Sequence, residues 1–84
     1  MDLIDARDSI QTRRDLGRFV SLLREDLLHN EDAWENSTLD RYLEALAAWI
    51  ADMDGYFRNQ GISEPERPDW HLVGQMLFAA SIYE

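Results

Sequence analysis

The chain has 84 residues, 45% of them hydrophobic, no cysteine, and a net charge of −9 from 17 acidic against 8 basic residues. Lack of cysteine excludes disulfides, thiolate metal sites and thiol nucleophiles. The acidity disfavours nucleic acid and anionic membranes as partners, because both would repel the chain.

The length suits one domain, residues 1–84, with one modest core. Nine aromatics, three each of Trp, Tyr and Phe, supply much of that core. Every base is an arginine. Residues Met1 to Asp8 show neither the basic start nor the apolar run of a secretory leader, and no stretch is long enough to span a bilayer. A cytoplasmic protein is therefore expected.

Residues 1–10 fit either a short helix packed on the rest or a loose end. The first strong helix is predicted over about 13–29. Thr12 is its N-cap, with Asp15 three residues later in the capping-box position. Leu16, Phe19, Val20, Leu23 and Leu27 then recur at helical spacing. Gly17 weakens this helix by up to about 1 kcal/mol relative to alanine, or lets a neighbouring helix come close.

Residues 31–37 read as an acidic connection that holds part of a helical turn and one large apolar side chain, Trp34. The second helix is predicted over about 38–59, capped by Ser37 or Thr38, with Asp40 in the capping-box position relative to Ser37. Leu39, Leu43, Leu46, Ile50, Met53 and Phe57 step alternately by four and three, a heptad-like seam. Tyr42, Trp49 and Tyr56 form a second stripe beside it. As one helix this segment would be about 33 Å long at 1.5 Å per residue, the natural spine of the fold. Gly61 ends it. The loop 62–68 holds both prolines, and Asp69 caps a last helix over about 70–83. No alternating apolar pattern of useful length occurs, so no sheet is expected. The fold class is all-α: a compact bundle of three main helices with room for a short N-terminal fourth.

The search for chemistry is short. Glu25 and Asp26 share a helix face with His29, but a di-metal bundle needs two Glu-x-x-His units and more inward carboxylates, and zinc wants three or four ligands. The serines lack a nucleophile-elbow context and the four glycines are scattered. No catalytic, metal or cofactor-binding residue is assigned, and a non-enzyme is expected. The remaining feature is the acidic segment around the first connection. Glu31, Asp32, Glu35, Asp40 and Glu44 gather there with Trp34 and Asn36 between them. An aromatic anchor within an acidic rim suits a basic protein partner, whereas Trp34 folded back onto the core would make the same segment a solvated acidic turn.

The blocks Trp34-Glu35-Asn36-Ser37-Thr38-Leu39, Leu43 to Trp49 and Ala79-Ala80-Ser81-Ile82-Tyr83-Glu84, with Tyr56, Asn59, Gly61, Pro68 and Trp70, resemble a family of small bacterial proteins classed as a domain of unknown function. The likeness covers roughly residues 15–84. It implies a bacterial origin and contributes no catalytic residues. In size, acidity and lack of catalytic groups the chain is also similar, as a class, to the immunity proteins that block bacterial toxins.

The expected function is therefore non-catalytic protein binding. Its leading form is an immunity-type inhibitor holding a basic toxin domain through Glu31, Asp32, Trp34, Glu35, Asn36, Asp40 and Glu44. The alternatives are a structural or regulatory homodimer built on the central helix, and a nucleic-acid mimic. No direct nucleic-acid or membrane contact is expected.

Overall fold

The computed structural model describes residues 2–63, 65 and 67–83. Five α-helices follow in chain order: α1 (Leu3–Asp8), α2 (Arg13–His29), α3 (Leu39–Ala51), α4 (Met53–Gln60) and α5 (Trp70–Ile82). A 3₁₀ turn, Glu31–Ala33, lies between α2 and α3. Among the described residues there is no strand, so the fold is all-α. No helix among them is long and apolar enough to cross a membrane.

The N-terminal segment takes the helical of its two options. Asp2 caps α1, and Ala6 and Ile10 are buried. They join Phe19 and Leu23 of α2 in the core, with Leu16, Trp34, Leu77 and Phe78 packed against them. The start of α2 is as expected: Thr12 Oγ1 accepts from the Asp15 N–H (3.1 Å), and the Asp15 carboxylate accepts from the N–H groups of Gln11 (3.1 Å) and Thr12 (3.2 Å). These bonds, that from Gln11 foremost, hold the Asp15 carboxyl below its usual range. Gly17 is not a point of helix approach, since a Cβ there would meet nothing within 4 Å.

The long second helix of the sequence reading is broken. Asp52 sits at φ −94°, ψ 3°, and its N–H is shared between the carbonyls of Ala48 and Trp49. That is a tightened turn, not a continuing α-helix. The segment Asp52-Met53-Asp54-Gly55 carries three poor helix formers. The Asp52 carboxylate also accepts a short hydrogen bond (2.5 Å) from the Tyr83 hydroxyl, just beyond α5. This bond pushes the Tyr83 hydroxyl pKa up. Thr38, rather than Ser37, caps α3, accepting from the Arg41 N–H (3.2 Å). Gly61 ends α4 in the left-handed conformation (φ 72°, ψ 24°), where a side chain would be strained.

The spine is α5, not α3. Trp70–Ile82 contains no Asp, Glu, Lys or Arg, and a helix apolar on all sides must be surrounded. It packs against α1, α2 and α3, whereas α2 and α3 do not pack against each other. Helix α3 turns Ala45, Tyr42 and Trp49 toward the interior, and the Tyr42 hydroxyl donates to the Leu77 carbonyl of α5 (2.7 Å). Much of the seam therefore stays outside: Leu39, Leu43 and Ile50 are exposed, Leu46 and Met53 are half-buried, and only its far end, at Phe57, is buried. At Gly74 the connection between α1 and α2 lies close on α5, because a Cβ there would overlap Ile10 Cδ1.

Candidate partner-binding surface

The acidic connection is fastened to the fold from both sides. Asn30 ends α2, its N–H donating to the Asp26 carbonyl (2.7 Å). The N–H groups of Ala33 and Trp34 then close the 3₁₀ turn on the carbonyls of Asn30 and Glu31 (2.9 and 3.0 Å). The Trp34 indole Nε1–H donates back to the Asp26 carboxylate (2.7 Å), and its ring stacks on Tyr42 at 6.1 Å between centroids. Burial raises the Tyr42 hydroxyl pKa. Asn36 does the corresponding work at α5. Its Nδ2 donates to the carbonyls of Ala80 (3.0 Å) and Tyr83 (2.6 Å), and its backbone N–H donates to the Ser81 carbonyl (3.1 Å). Helix C-termini leave carbonyls without intrahelical partners, and one asparagine here supplies donors to that end.

The seven residues singled out in the sequence thus separate into two groups. Trp34 and Asn36 are half-buried and turned toward the fold. Glu31, Asp32, Glu35, Asp40 and Glu44 are exposed, and among the described residues none of the five is in an ion pair. Glu35 and Glu44 both line a cavity of about 240 Å³, together with Asn36, Arg41, Ala45, Ala48 and Tyr83. Glu31, Asp32 and Asp40 line neither this cavity nor the trough described next. Near the end of α2, the Asp26 carboxylate is occupied by Trp34 and Asn30, and His29 Nδ1–H donates to the Glu25 carbonyl (2.8 Å). Among the described residues no three His, Asp or Glu side chains converge as metal ligands would.

A second surface was not singled out in the sequence. Because α5 separates α2 from α3, an apolar trough of about 250 Å³ opens between them. Val20, Leu23 and Leu27 form one wall, Leu39 and Tyr42 the other, and Trp34 is among the lining residues. Its signal in the sequence was the uncharged stretch of α5, which claims the centre and leaves the seam of α3 at the edge.

A small all-α domain with a fastened acidic connection and an open apolar trough is the class these features define. Residues 12–84 match a family of unknown function, DUF7660, and the chain belongs to that family. The match begins at the N-cap of α2, leaving α1 outside it, and agrees with the expected membership of a domain-of-unknown-function family. No curated protein and no solved structure matches the chain.

Proposed function

We propose that this protein is a non-catalytic binding domain whose acidic end, Glu31, Asp32, Glu35, Asp40 and Glu44, holds a basic protein partner. The observation that carries the reading is the combination of five carboxylates outside any ion pair of the described residues with a backbone fastened at Trp34 and Asn36. Charges on an ordered backbone lose little freedom on association, so more of their attraction is retained as affinity. Unpaired charge of one sign also steers an oppositely charged partner and speeds its encounter. Trp34 and Asn36 serve as supports rather than contacts. In its particular form the reading is an immunity-type inhibitor acting in the cytoplasm against a basic toxin domain. The net charge of −9 and the cysteine-free composition support it.

The test is capture of the partner from the native host, followed by salt titration of the complex. Replacing Glu31, Asp32 and Glu35 together by lysine is expected to weaken the complex by about tenfold or more, since each exposed pair contributes a few tenths to about 1 kcal/mol. A complex indifferent both to salt and to this reversal overturns the proposal.

A further inference from the structure

The trough between α2 and α3 continues outward along α3 as a ridge. Leu39, Leu43 and Ile50 share one flank of that helix by their spacing and are 74%, 52% and 44% exposed; Leu39 also lines the trough, whose other wall carries Val20 at 43%. An isolated exposed leucine needs no explanation, but a ridge beside an apolar groove on the same face does.

We propose that this face is covered by a second copy of the chain, the α3 ridge of each copy lying in the trough of the other about a two-fold axis. A two-fold interface must be self-complementary: where a ridge of one copy fills a groove of its partner, the reverse holds too. Ridge and trough are adjacent here, so one rotation satisfies both. The charges select the same occupant. Among the described residues Arg24 is the one charged side chain lining the trough, in a long ion pair with its exposed neighbour Glu25 (3.8 Å), and Arg13 stands three turns earlier on the same line of α2. A basic segment entering the trough would meet these arginines. A second α3 brings Asp40 on the outer edge of its ridge, next to Leu39, and that edge faces α2 of the other copy. Ala47 and Ala51 follow on the edge at seven and eleven residues, small enough for the two helices to close. The remaining carboxylates of the acidic end, Glu31, Asp32, Glu35 and Glu44, do not line the trough, so the dimer leaves four of the five available and shares only Asp40 with the basic-partner reading.

Sedimentation of the full chain from low micromolar to near-millimolar concentration tests this. The expected result is a reversible monomer–dimer equilibrium. Leu43→Asp should weaken it by about a hundredfold, because each dimer loses two buried leucines. The variant should keep its helical circular dichroism, since Leu43 is half exposed in the monomer. If it does not, Val20→Asp on the opposite wall replaces it in the same assay. Arg24→Glu and Asp40→Arg should each weaken the dimer, and combining them should restore it. A wild-type chain that stays monomeric, a dimer that survives the wall substitutions, or a double exchange that restores nothing overturns the proposal. Lysine at Glu31, Asp32 and Glu35 should not weaken dimerisation, and the smaller net charge of each copy should favour it. Loss of the basic partner with Leu43→Asp in a monomeric wild-type chain would assign the trough to that partner and overturn the second copy.

Discussion

Ile10, two residues after α1, packs against Gly74 of α5. Ile10 is 3% exposed, and its Cδ1 occupies the space that a side chain at position 74 would need. Gly74→Ala is therefore expected to destabilise the fold by about 1–3 kcal/mol through overpacking, despite the better helix propensity of alanine. Ile10→Val removes the obstructing methyl and costs about 1 kcal/mol by itself. In the double variant the two costs should fall well short of their sum, a coupling readable from urea denaturation of the four chains. Additive costs would mean that Ile10 and Gly74 do not compete for the same space. The sequence marked Gly17 as the candidate for close approach and passed over Gly74. A glycine within an apolar run carries no sign of which distant side chain will lie against it.

Among the elements, the acidic connection depends most on one side chain. Asn36→Ala removes both donors to the Ala80 and Tyr83 carbonyls and should lower stability by about 1–3 kcal/mol, measured as a shift in the urea midpoint at constant slope. Because that side chain also fixes the carboxylates in place, the same variant should bind a basic partner more weakly although no charge has changed. Legibility followed the range of the interaction. The caps Thr12, Asp15 and Asp69, the left-handed Gly61 and the extent of α2 are local, and the sequence shows them directly. The break at Asp52 involves Tyr83, which lies 31 positions away, and no spacing rule reaches that far. The seam of α3 was read correctly as apolar, with a place in the core and a place in a dimer surface both left open for it. Which flank of a helix is buried depends on the neighbour that takes the centre, and here α5 does so because its sequence lacks charge. The acidic cluster was legible as charge, whereas the inward turn of Trp34 depends on its partner Asp26 and on Tyr42 beneath its ring.

At the scale of the whole molecule the two proposed associations respond to salt with opposite sign. Two copies each carrying −9 repel, and screening with a Debye length of about 8 Å near physiological ionic strength relieves that repulsion. Attraction to a basic partner is weakened by the same screening. Raising salt from low to physiological levels is expected to tighten self-association and loosen the heterologous complex, both measurable by sedimentation on one preparation. Self-association that weakens in step with the partner complex would show one electrostatic surface serving both. The Asn36 tether has a further consequence for how the molecule matures. Its acceptors, the carbonyls of Ala80 and Tyr83 at the C-terminal end of α5, lie up to 47 positions further along the chain. A nascent polypeptide can form α2 and the 3₁₀ turn early, yet it cannot hold its carboxylates in their final arrangement until α5 has docked. On the proposed reading, competence to hold a basic partner is expected to follow the docking of α5.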